Sequence, residues 1–112
     1  MKKLITIALI LFSHSVFAGA LVQDAKVVSV ENTLNQDSNT FVVNISGGTG
    51  PCKDSLVYFF DGDAGGLKLH ERAFEIALKA LETGLSVDVH SHVNDSCQNA
   101  TWIKIKNNNN KI

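Results

Sequence analysis

Residues 68–93 read KLHERAFEIALKALETGLSVDVHSHV, and the spacing of apolar side chains changes once inside that stretch. Up to Leu81 they recur at helical intervals: Ala73, Phe74, Ala77, Leu78 and Leu81 share one side, and Glu71, Arg72, Glu75, Lys79 and Glu82 take the other. Gly84 follows the last apolar residue, where a left-handed cap closes a helix. The spacing therefore predicts a helix over residues 68–83. From Ser86 the period drops to two, predicting a strand over residues 86–93. Val87, Val89 and Val93, with Ser91, face a core on this reading, and Asp88, His90 and His92 point the other way.

Outward from this stretch the pattern is that of strands and turns. Residues 94–99 are a polar turn carrying Cys97, and residues 101–106 read as a closing strand with Ile103 and Ile105 inward and Trp102, Lys104 and Lys106 outward. Residues 107–112 are a polar tail expected to fray. On the other side, residues 25–31 are a β-branched strand, residues 32–39 a polar turn, and residues 40–45 alternate with Phe41, Val43 and Ile45 on one face, so the pair predicts a hairpin. Ser46-Gly47-Gly48-Thr49-Gly50-Pro51 then breaks regular structure. It lacks the Gly-Lys-Ser/Thr ending and the following helix of a phosphate loop, and reads as a loop or bulged strand start. Residues 55–60 are a third strand, apolar on both faces, whose outer face calls for cover by a helix, a terminus or a neighbouring subunit.

Three strands, a helix, then two strands make an α+β, mainly β domain with the element order of the OB-fold, a small and partly open five-stranded antiparallel barrel. The alternative is an open antiparallel sheet with the helix laid across it. Neither a repeat nor a linker interrupts residues 21–106, so they form one domain.

Upstream, Lys2 and Lys3 precede an apolar run from Leu4 to Phe12 and then small residues, the order of a secretory signal peptide over residues 1–18. Cleavage after Ala18 and cleavage after Ala20 both satisfy the small-residue requirement. The apolar run is shorter than the ~20 residues that span a bilayer, so no membrane span is expected after cleavage. Removing Lys2 and Lys3 leaves eight basic against eleven acidic side chains, a formal charge of −3. That balance excludes nucleic acid as an expected partner, because phosphate neutralisation supplies most of such affinity. Cys52 and Cys97 are the two cysteines of the chain. An exported protein, periplasmic or secreted, carries them into an oxidising compartment that joins them as a disulfide, whereas free reactive thiols would need an electropositive surrounding.

Two resemblances rest on particular residues. Ser46 to Cys52, in the pattern Ser-Gly-Gly-x-Gly-x-Cys, and Arg72 to Cys97 resemble an uncharacterised family of small secreted bacterial proteins with a second cysteine after the fourth strand. Residues 72–84 followed by Ser86-Val87-Asp88-Val89-His90 look like the long helix and next strand of B subunits of bacterial AB5 toxins, of the subtilase-cytotoxin type. The latter resemblance implies a ring-forming, carbohydrate-binding, non-catalytic domain. No sugar-binding residue is carried over from it.

The sharpest candidate surface is the outward face of the last hairpin, where parity collects Asp88, His90, His92, Trp102 and Lys104. An exposed tryptophan there marks a ligand or subunit contact, since indole is costly to leave in water. Alternatively the tail, another loop or residues 21–24 cover it. His90 and His92, two apart on a strand, could ligate zinc with Asp88, but a metal needs three or four converging ligands and a solvated polar face is the simpler reading. Asp61-Gly62-Asp63-Ala64-Gly65-Gly66 opens like a calcium loop but has Arg72 where the bidentate Glu belongs, so it reads as turn chemistry. No nucleophile elbow, zinc-protease motif or cofactor motif is present, and neither enzyme activity nor a cofactor is expected. The chain is thus expected to be a binding module for a glycan or protein, with a homo-oligomer as one form. A periplasmic inhibitor or immunity-type protein is the alternative, and a small metal-binding protein or hydrolase the third.

Overall fold

The computed structural model describes residues 19–32 and 39–107. The expected signal segment 1–18, most of the turn after the first strand and the tail beyond Asn107 lie outside those residues. The elements follow in the order β1 (Gly19–Asn32), β2 (Thr40–Ser46), β3 (Leu56–Phe60), α1 (Leu67–Thr83), β4 (Ser86–Ser91) and β5 (Trp102–Lys106). The five strands form one antiparallel sheet ordered β3-β2-β1-β4-β5, with the helix between β3 and β4 as the periods demanded. Edge strand β3 also meets the turn between β4 and β5: Tyr58 donates its N–H to Cys97 O at 2.8 Å and accepts from Ala100 N–H at 3.1 Å.

β1 begins at Gly19 instead of residue 25. Its first half pairs with β4 and its second half with β2, and the register shifts between Ala20 and Val22 and again between Val22 and Ala25. Asp24 sits at φ 59 inside that bend. A bulge adds a residue to one strand and breaks the alternation, so Leu21 and Val22, both fully buried, carry no period of two to announce them. The glycine-rich loop runs beside the bend: Gln23 and Thr49 exchange both backbone hydrogen bonds, at 2.8 and 3.0 Å, and Cys52 N–H reaches Leu21 O at 2.9 Å. A Cβ on Gly48 would stand 2.4 Å from Gln23 O, and one on Gly50 2.5 Å from Leu21 O, both at positive φ. Glycine is what lets the two backbones come this close. The Cys52–Cys97 disulfide, with Cα atoms 5.7 Å apart, then ties this loop to the turn between β4 and β5, as expected from the cysteine count.

Val43 and Ile45 of β2, Val57 and Phe59 of β3, and Val87 and Val89 of β4 build the core with Leu21 and Val22. Phe41 stacks on Phe59 with centroids 4.6 Å apart, and Phe74 meets Phe41 edge-on at 5.1 Å. The helix lays His70, Ala73, Ala77 and Ala80 against this core. Their short side chains, apart from His70, allow close approach, and His70 satisfies its buried ring through Nε2, 3.0 Å from Phe59 O. Gly84 caps the helix at φ 74, donating to Ala80 O at 2.9 Å.

Three expected burials are corrected. Leu78 and Leu81, each 41% exposed, lie on the flank of α1, because the alanine stripe and not the leucine stripe turns inward. Val93 is 48% exposed, because β4 ends at Ser91. The Ser91 hydroxyl donates to Asn99 O at 2.6 Å and accepts from Val93 N–H at 3.0 Å and Asn94 N–H at 3.3 Å, which bends the chain out of the strand. Along β3 the outer face is only partly covered: Leu56 is exposed, and Tyr58 and Phe60 are half-buried.

Candidate functional site

β4 and β5 pair with Asp88 opposite Lys104 and His90 opposite Trp102, so the parity argument brings these four to one face. His92 lies just past the end of β4 and is exposed. The His90 imidazole meets the Trp102 indole edge-on with centroids 4.2 Å apart. Such a cross-strand pair fixes the indole against the sheet. Trp102 nevertheless keeps 41% of its surface exposed. Of the segments that were candidates to cover it, residues 21–24 belong to strand β1, and the tail beyond Asn107 lies outside the described residues.

Asp88 corrects the expectation of an open polar face, for it is 7% exposed. Its Oδ1 accepts from the Asp24 N–H at 3.0 Å and from Lys106 Nζ at 3.0 Å, and Lys106 also bonds the Asp24 carboxylate. The bend at Asp24 delivers that N–H, which is why the strand period of residues 86–93 could not foretell it. Burial pushes the Asp88 carboxyl upward, but the Asp24 N–H, the hydrogen bond and charge of Lys106 and the charge of Lys104 together outweigh it and hold the pKa below the ordinary 3.8. Hydrogen bonds to Asp24 and then Asp88 hold Lys106 above its ordinary 10.5. Asp88 is thereby a structural anchor of β1, β4 and β5.

The sign of the linkage gives a pH prediction. The folded Asp88 pKa lies below the unfolded one, so its stabilisation is complete above the unfolded value and disappears as pH falls through the folded value. Lys106 behaves oppositely, stabilising below its unfolded value and losing that contribution as pH rises through the folded one. Urea midpoints measured across the acid range should therefore decline more steeply for the native protein than for Asp88→Asn. Parallel acid limbs in the two proteins would refute this role.

Beside β5 and α1 a groove of about 260 Å³ opens. Leu69, Arg72 and Ile76 bound it from the helix, and His92, Trp102 and Ile103 from the hairpin. The helical contribution was not singled out in the sequence, where Arg72 counted as part of the polar side. The spacing i, i+3, i+7 of Leu69, Arg72 and Ile76 was a usable signal that they share one stripe. That this stripe meets β5 is visible only in the fold.

The metal readings find other uses for their carboxylates. Asp88 is engaged by Lys106, and among the described residues no three of His, Cys, Asp or Glu gather as a metal would require. Asp61 Oδ2 accepts from Asn39 Nδ2 at 3.3 Å, and Asp63 Oδ2 from Asn99 Nδ2 at 3.0 Å. These bonds tie the turn before α1 to the start of β2 and to the β4–β5 turn.

Neither the comparison with curated proteins nor that with solved structures found a match. The chain belongs to a family of unknown function, DUF5992, whose sequence pattern spans residues 1–107.

Proposed function

We propose that this member of DUF5992 is an exported, non-enzymatic binding module that takes a glycan or a protein in the groove between α1 and β5. The observation that carries the reading is Trp102, 41% exposed at the groove and already oriented by His90. Exposed indole is enriched where partners bind, and a ring ordered beforehand loses less entropy on contact. Export is supported by the signal-like order of residues 1–18 and by the Cys52–Cys97 disulfide. Among the described residues no helix is long and apolar enough to cross a membrane. The likeness of residues 72–90 to toxin B subunits makes a homo-oligomeric ring the assembly to look for.

Trp102→Ala is the test. Binding on glycan and protein arrays, and any assembly seen by native mass spectrometry, should be lost while the melting temperature stays within a few degrees of the parent. A variant that binds as before but melts far lower would show Trp102 to be a packing residue and end the proposal.

A further inference from the structure

We infer that the groove receives the C-terminus of a protein partner, holding an apolar last side chain between Ile76, Ile103 and Trp102 and its free carboxylate on Arg72. The inference rests on the proposed use of the groove as the binding site and narrows its ligand to one chemistry.

Arg72 lines the groove, yet among the described residues its guanidinium has no hydrogen-bond or ion-pair partner. The His92 imidazole is likewise without one, and only its backbone N–H is engaged, by Thr101 Oγ1 at 3.1 Å. Among the described residues no Asp or Glu lines the groove, although acidic residues outnumber basic ones in the chain. The Arg72 guanidinium therefore faces the opening with no carboxylate among the described residues that line it. A guanidinium presents its donors as a planar fork that matches a carboxylate in two parallel hydrogen bonds.

The remaining walls choose between carriers of that carboxylate. Leu69, Ile76 and Ile103 are alkyl, Trp102 is aromatic, and the hydroxyl of Thr101 is engaged by the His92 N–H. A sugar acid would bring hydroxyls around its whole ring, and alkyl walls would leave several of them desolvated without partners. An apolar side chain meets the same walls at no such cost.

Trp102 is the single tryptophan of the chain, so its emission reports occupancy of the groove directly. The signal-cleaved, disulfide-bonded protein is titrated with short acetylated peptides ending in Leu, Ile or Phe, each as the free acid and as the C-terminal amide. The acid should shift the emission saturably, and the amide should bind about tenfold or more weakly, as expected for loss of a charge-assisted pair. Arg72→Gln should bring the acid down to the level of the amide and leave the amide unchanged, with Glu71→Gln, outside the groove, matching the parent. Equal affinity of acid and amide, indifference of the acid to Arg72→Gln, or an emission that no peptide moves would each overturn the inference. If oligosaccharides shift the emission where peptides do not, this inference falls and the binding-module reading survives. Failure of the Trp102→Ala test above removes both.

Discussion

Reducing the Cys52–Cys97 disulfide is expected to lower the unfolding free energy by about 4 kcal/mol, on the chain-entropy account of cross-links. The bond spans 45 residues and encloses β3, α1 and β4, so it removes a large loop from the unfolded ensemble. Domains of this size are stable by roughly 5–15 kcal/mol, and the loss is a large share of that. Both half-cystines are also fixed by their backbones: Cys52 N–H bonds Leu21 O of β1, and Cys97 O accepts from Tyr58 N–H of β3. The cross-link therefore joins two contacts that already hold the glycine-rich loop and the β4–β5 turn in place, and needs no rearrangement to form. Denaturant unfolding with and without reductant measures the effect. The double variant Cys52→Ala/Cys97→Ala should give the same loss, which separates the cross-link from side reactions of free thiols. A decrease below about 1 kcal/mol would mean that the unfolded chain is restricted in some other way, and the closure argument would fail.

Phe59→Ala is expected to cost about 3–5 kcal/mol, the range for removing a buried aromatic ring. Phe59 is 1% exposed and is the largest fully buried side chain among the described residues. Its ring stacks on Phe41, whose own ring also meets His70 and Phe74 of α1. Deletion therefore opens a cavity at the junction of sheet and helix, where rigid rings on two elements relax poorly. Leu56→Ala, on the same strand but exposed, is the control and should stay within about 0.5 kcal/mol of the parent. A double-mutant cycle with Phe41→Ala should return a coupling of about 0.5–1.5 kcal/mol for the stacked pair. Equal losses for Phe59→Ala and Leu56→Ala would contradict the placement of the core.

How far the fold was legible in the residues depends on the range of the interaction involved. Alternation in β2, β4 and β5 located their inward residues because period two is a local property of a regular strand, and Val87, Val89 and Ile103 are buried as that rule requires. It failed at Val93, where the Ser91 hydroxyl redirected the chain, and at Leu21 and Val22, where bulges removed the alternation. Amphipathicity found α1 but misjudged its inward line by part of a turn, since Leu78 and Leu81 look more apolar than the alanines that pack. Of the candidate face, the shared side of His90 and Trp102 was readable from parity, and their direct pairing was set by the register of β4 on β5. The withdrawal of Asp88 was not, because it depends on Asp24 and Lys106.

By itself, the amino-acid order determined the run of elements, the helix ended by Gly84, the single possible disulfide and the residues that share a face of the last hairpin. Each of these follows from neighbours along the chain or from a count. Tertiary structure alone decided the bend in β1, the burial of Asp88 and the meeting of Arg72 with Trp102. The reason is separation: the Asp24 N–H to Asp88 bond joins residues 64 apart, and the Lys106 to Asp24 bond joins residues 82 apart. No local period encodes contacts at that range, and they exist only once the sheet has brought β1, β4 and β5 side by side.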